Sequence, residues 1–329
     1  MRTIRAPMCV AAAALAVAAW AQTGEWQRLT HEAANLRQAG RFAEAAAVLQ
    51  EAVRVAGQTG QDAAHAACAR NNLGVIYDEL GRSCEAEHEY RRALALLERA
   101  GGSKTSNYAI GLAALAAHYA DLGRMAEAER QLRESIAIFT SSMQTSNVGL
   151  ATARDALAVV MARTGRYREA ESLEIQAVEG FEKQPAEAER LGIALNNLGS
   201  LRRQQGRNLE AAKLFRQALA IVERALGTDH PRLLTVLNNL AVAESGTGGG
   251  DEADAVFCRA LTIAQSRLGP AHPTYGRILV NYAGFLRERG EKSRAKRLEA
   301  EGRAVLTEFA RRQGTALTVD VSALGRPSR

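Results

Sequence analysis

Residues Asn196–Gly227 read NNLGSLRRQQGRNLEAAKLFRQALAIVERALG. Apolar side chains fall three and four apart on both sides of Gly206: Leu195, Leu198 and Leu201 before it, then Leu214, Phe215, Leu219 and Val222 after it. That spacing gives two helices, each with one apolar stripe. Glycine closes a helix in the left-handed region without steric cost, so the chain turns at Gly206. Gly199, Ala211 and Ala218 are small and let the two helices approach closely. One such hairpin cannot bury its own stripe, so the stretch predicts neighbours of the same kind.

The neighbours are present. Glycines recur at 40, 81, 123, 165, 206, 248 and 290, spaced 41 or 42 apart. Alanine follows five residues later each time: Ala45, Ala86, Ala128, Ala170, Ala211, Ala253 and Ala295. The residue before that alanine is Glu44, Glu85, Glu127, Glu169, Glu210 or Glu252, with Arg294 in the last unit. An acidic group there favours the positive end of the second helix. The residue twelve after each glycine is small, and so is the one seven before it. The end units are more polar, with Glu32 in the first and Arg294, Glu299 and Arg303 in the last, as capping units need to be. The fold class expected is all-α, a solenoid of about seven helix-turn-helix units.

The residues resemble a known family. Leu73-Gly74-x-x-Tyr77 with Gly81, Ala86, Tyr90 and Ala93, and Leu198-Gly199 with Gly206, Ala211, Phe215 and Ala218, resemble the tetratricopeptide (TPR) repeat. The longer period and the links ALGTDHP and RLGPAHP resemble the kinesin-light-chain type. Units three and four fit more loosely: Met161 replaces the tyrosine and their links lack His-Pro. The resemblance runs from about Trp26 to Ala310. It implies a right-handed superhelix whose first helices line a concave groove for extended peptides. It implies no catalytic activity.

The domain layout expected is a signal peptide at 1–21, repeats at 22–310 and a tail at 311–329. Arg2 and Arg5 precede the apolar run Met8–Trp20, and Ala19-Trp20-Ala21 has the A-x-A form of a cleavage site. The protein is therefore expected to be exported, periplasmic or secreted, after cleavage near Ala21; an uncleaved cytoplasmic form is the alternative. The tail contains TALTVDVSAL, which alternates like a short strand without a partner.

Composition narrows the function. The net charge of +6 comes from signs that alternate along the chain, as on a solvated helical surface. The most basic stretch, Arg287–Arg312, is interspersed with five glutamates, so no nucleic-acid partner is expected. No segment beyond the leader is long and apolar enough for a membrane span. Cys68, Cys84 and Cys258 are an odd, scattered set, expected as buried free thiols rather than a disulfide framework.

No reaction centre emerges. The glycine-rich ESGTGGGDEA, Glu244–Ala253, lacks the Gly-Lys-Ser/Thr of a phosphate loop, and Asp251 and Glu252 would repel phosphate. Gly248 belongs to the turn column, so the segment reads as a hairpin turn. His31-Glu32-x-x-Asn35 lacks the second histidine of a zinc motif. Ser200 lacks a nucleophile elbow. His230 and His272 recur in the same LGxxHP links and read as capping or packing groups. No catalytic residue, cofactor or metal is expected.

The expected site is a binding face. Steps of about 100° per residue put positions ten, six and three before each turn glycine opposite the buried leucine. These are Asn71, Val75 and Asp78; Asn196, Ser200 and Arg203; Asn238, Val242 and Ser245; and Val280, Gly284 and Arg287. Asparagine is a mediocre helix former, so its recurrence needs a reason. Asn71, Asn196 and Asn238 are expected to hydrogen-bond a peptide backbone, with Asp78, Ser200, Arg203 and Arg287 beside them. Asn72, Asn197, Asn239 and Asn281 project sideways and are expected to be structural. The function expected is a scaffold binding a protein or peptide partner. The alternative is an accessory subunit of an envelope or secretion complex acting through its convex face or tail.

Overall fold

The computed structural model describes residues 25–58, 63–141 and 147–312. The expected signal peptide and the alternating segment Thr315–Leu324 lie outside the described residues. Among the described residues there are fourteen α-helices, a short 3-10 turn at Pro185–Glu187 and no strand.

The helices form seven hairpins. The first four are α1 (Glu25–Gln38) with α2 (Phe42–Gln58), α3 (Ala63–Glu79) with α4 (Ser83–Arg99), α5 (Ser106–Asp121) with α6 (Met125–Ser141), and α7 (Asn147–Arg163) with α8 (Tyr167–Glu182). The last three are α9 (Ala188–Gln204) with α10 (Asn208–Leu226), α11 (Leu233–Ser245) with α12 (Gly250–Arg267), and α13 (Pro273–Glu288) with α14 (Lys292–Arg312). They fall into two compact units, one ending at Pro185 and one starting at Ala186.

All seven turn glycines adopt positive φ, between 72° and 84°. The following amide then reaches back to close the first helix: Arg82 to the Tyr77 carbonyl and Arg166 to that of Met161, both at 2.8 Å. ESGTGGGDEA is such a turn, with Gly248 at φ 84° between α11 and α12.

The turns contain a second column. Arg41, Arg82, Arg124, Arg166 and Arg207 each follow the glycine, and each guanidinium grips the glutamate three residues on: Glu44, Glu85, Glu127, Glu169 and Glu210. The last hairpin reverses the pair, with Arg294 on Glu291 at 3.2 Å. These pairs are solvent-exposed and contribute little individually.

The small columns are buried where the helices of a hairpin cross. A Cβ on Gly74 would lie 2.7 Å from the Tyr90 ring, and one on Gly199 would lie 2.7 Å from the Phe215 ring. Both rings are wholly buried. Burying such a side chain is worth about 1.5–3 kcal/mol, so each aromatic-on-glycine contact is a main fastening of its hairpin. Ser135 holds a buried small position, and its hydroxyl donates to the Ala109 carbonyl at 2.7 Å. At the ends, Glu32 and Arg303 are exposed.

The cysteine expectation needs correction. Cys84 and Cys258 are exposed free thiols, and Cys68 is only partly covered. They sit on helix faces outside the stripes, where sulfur is not needed for packing. Desolvation still pushes the Cys68 thiol up to about 11.

Candidate functional site

Asn71 and Asp78 lie on α3 of the first unit. The other five expected site residues lie in the second unit: Asn196, Ser200 and Arg203 on α9, Asn238 on α11 and Arg287 on α13.

The asparagines are not open. Asn71, Asn196 and Asn238 are 8%, 8% and 9% exposed. Asn239 donates its amide to Asn196 Oδ1 at 2.9 Å, and Asn281 donates to Asn238 Oδ1 at 2.9 Å. The sideways asparagines therefore clamp each first helix to the one before it. Asn196 and Asn238 are the acceptors of that clamp, and only their amide nitrogens remain for another partner. In the first unit the donor position is Ala114, and Asn71 Oδ1 is buried with no hydrogen-bond partner among the described residues.

Asp78 is also engaged. One carboxylate oxygen takes the Tyr90 hydroxyl at 3.0 Å and the other lies 2.7 Å from His118 Nδ1. His118 is 1% exposed, and its Nε2 has no partner among the described residues. Sequence reasoning set His118 aside for lack of a ligand-spaced neighbour. Its partner comes from the preceding hairpin, 40 residues away.

Arg287 pairs with Glu299 on α14. The Ser200 hydroxyl donates to its own helix, at the Asn196 carbonyl, 2.9 Å away. Arg203 differs from these. Its Nε is buried with no partner, its side chain has no carboxylate beside it among the described residues, and burial lowers its pKa from the usual arginine value.

A second arginine of this kind, missed by the reading at three positions per helix, is Arg277 on α13. Burial also lowers its pKa, and no carboxylate offsets this among the described residues. Helical steps of 100° place Arg277, Val280, Gly284 and Arg287 on one stripe of α13. The equivalent stripes carry Ile193, Asn196, Ser200 and Arg203 on α9, and Thr235, Asn238, Val242 and Ser245 on α11. Extending the period by one more step would have found Arg277 from sequence. Ile193 is 44% exposed and Thr235 is exposed, so this face remains uncovered.

Gly284 marks the same face. The mid-helix glycines Gly74, Gly111, Gly149, Gly192, Gly199, Gly276 and Gly302 each lie under a neighbour that a Cβ would strike. At Gly284 a Cβ would meet nothing within 4 Å.

The histidines of the links are caps. His272 Nδ1 accepts the Thr274 amide at 3.2 Å and His230 Nδ1 accepts the Arg232 amide at 3.2 Å. Among the described residues no group of His, Cys, Asp and Glu could hold a metal ion, and no helix is long and apolar enough to cross a membrane.

Tetratricopeptide-repeat models match residues 69–96, 108–183 and 190–266. Among curated proteins, none matches the sequence. Of the solved structures, BtubC (BKLC) from P. vanneervenii is similar at 20% identity and TM-score 0.57, over 76% of this chain and 93% of that one. A Podosopora anserina chain of nearly identical TPR-like repeats, described as a kinesin light chain, is similar at 23% identity and TM-score 0.52, over 62% of this chain and 95% of that one. The apo form of RapI is similar at 15% identity and TM-score 0.63, over 89% and 77%. At these identities the likenesses speak for the fold. With seven hairpins, their turn glycines and these matches in place, the chain belongs to the tetratricopeptide-repeat family, of the kinesin-light-chain-like type.

Proposed function

We propose that the protein is a non-catalytic scaffold whose second unit binds an extended peptide segment of a partner along α9, α11 and α13. The observation that carries this reading is the uncovered stripe shared by these helices, which includes Gly284 and the uncompensated Arg203 and Arg277. A mid-helix glycine costs about 0.5–1 kcal/mol against alanine, and no packing contact among the described residues requires one at Gly284. Close approach of another backbone does. The asparagine clamp supports the reading indirectly, because it holds the three helices in fixed register. Peptides of this kind are recognised through backbone hydrogen bonds and side chains set on a rigid surface. With residues 1–21 removed as a leader, the binding event takes place outside the cytoplasm.

Selection of a random twelve-residue peptide library on the full chain tests this. Binders are expected, and Gly284→Leu, which fills the face without touching the core, is expected to abolish their capture. Absence of binders, or binders indifferent to Gly284→Leu, would remove the reading.

A further inference from the structure

The same face carries a charge pattern that narrows its ligand, an inference that rests on the peptide-binding reading above. We infer that the bound segment is acidic, with two carboxylates placed to meet Arg203 and Arg277.

Most arginines of the second unit are already compensated. Arg207 is held by Glu210, Arg216 by Glu244, Arg232 by Glu189, Arg259 by Glu223, Arg267 by Asp229, Arg287 by Glu299 and Arg289 by Asp251. Arg203 and Arg277 are the exceptions on the uncovered stripe. Both are desolvated, and neither has a carboxylate or hydrogen-bond partner among the described residues. A desolvated guanidinium without an anion is unfavourable, and a carboxylate meeting it bidentately removes that cost. Arg277 also acts on its surroundings: its charge helps hold the His272 pKa below its ordinary value. The remaining anion on the stripe, Glu189, is occupied by Arg232. An acidic ligand therefore meets two unspent positive charges and no unspent negative one.

The geometry sets a spacing. Arg203 lies near the end of α9 and Arg277 near the start of α13, two first helices further on. Neighbouring packed helices are about 8–10 Å apart, which gives roughly 20 Å across the face, and the offset along the helices adds about 15 Å at right angles. An extended chain advances about 3.3 Å per residue, so the two carboxylates fall about seven or eight residues apart. Gly284, on the same stripe as Arg277, lets the ligand backbone lie close.

The test measures fluorescence anisotropy of the full chain with a labelled twelve-residue Gly/Ser peptide carrying two Asp-Glu pairs seven residues apart. Its Asn-Gln counterpart and a phosphoserine version are run beside it. The acidic peptide is expected to bind at least tenfold more tightly than the Asn-Gln peptide. Arg203→Gln and Arg277→Gln are each expected to weaken it about tenfold, with a shallower salt dependence. Arg203→Lys, which keeps the charge, is expected to restore part of the loss, and circular-dichroism melting confirms that each variant is folded. Equal binding of the acidic and Asn-Gln peptides, both lost in Gly284→Leu, would overturn the acidic preference and leave the peptide face standing. Indifference of both peptides to Gly284→Leu would overturn both readings. A phosphoserine peptide more than tenfold tighter than the carboxylate one would overturn the choice of carboxylate.

Discussion

The side-chain amide of Asn239 donates to Asn196 Oδ1 at 2.9 Å, joining two first helices through residues 43 apart. The Asn281–Asn238 pair repeats it at the next junction. A buried side-chain hydrogen bond is worth about 1 kcal/mol net, and leaving one partner unsatisfied costs about 1–3 kcal/mol. Asn196→Ala is thus expected to destabilise by about 1–3 kcal/mol, and a double-mutant cycle with Asn239→Ala to return a coupling of about 1 kcal/mol by urea unfolding. Asn71→Ala, where no donor is lost, is expected to cost less than Asn196→Ala. Equal costs would mean that the clamp is not what the residue contributes.

Two mid-helix glycines are expected to respond in opposite directions. Gly199→Ala drives a methyl to 2.7 Å from the Phe215 ring and is expected to cost about 1–3 kcal/mol. Gly284→Ala meets nothing within 4 Å and is expected to gain about 0.5–1 kcal/mol. Thermal melts of the two variants decide the point, and shared signs would contradict the packing described.

The His272 cap makes stability depend on pH. Its Nδ1 must be free of a proton to accept the Thr274 amide, and burial, with the Arg277 charge, lowers its pKa below the ordinary histidine value. The unfolded chain then takes up the proton more readily than the folded one. The contribution is full above about pH 6.5 and is lost as pH falls through the lowered folded value. His272→Ser keeps a cap acceptor that does not titrate, so its loss of Tm between pH 8 and pH 5 should be smaller than that of the parent protein. An unchanged loss would place the pH dependence elsewhere.

The cysteines should separate by reactivity. With its thiol raised to about 11, Cys68 is about one part in a thousand thiolate at pH 8, and the thiolate is the nucleophile. Iodoacetamide labelling followed by peptide mapping should modify the exposed Cys84 and Cys258 well before Cys68. Equal rates would show that Cys68 is not desolvated in solution.

The repeat could be read from sequence because its signals are local. A turn glycine, a small residue where helices cross and an apolar stripe are each set by neighbours within one hairpin, and all seven turns fall at the expected residues. The site was harder because its geometry depends on the next hairpin. Asn196 reads as a groove residue until Asn239 is seen to occupy its carbonyl oxygen, and Asp78 until His118 and Tyr90 are found on it. Arg203 was legible from its helical position, while its lack of a counter-ion was not. The arginine after each turn glycine was in plain sequence view, and its meaning became clear only from its grip on the glutamate three residues later.

Hydrogen exchange of the second unit with and without a selected peptide tests the central claim most directly. Slowed exchange concentrated in α9, α11 and α13, around Arg203, Gly284 and Arg277, is the predicted result. Protection confined to α10, α12 and α14, or to residues beyond Arg312, would contradict it and point to an accessory subunit that works through its other face or its tail.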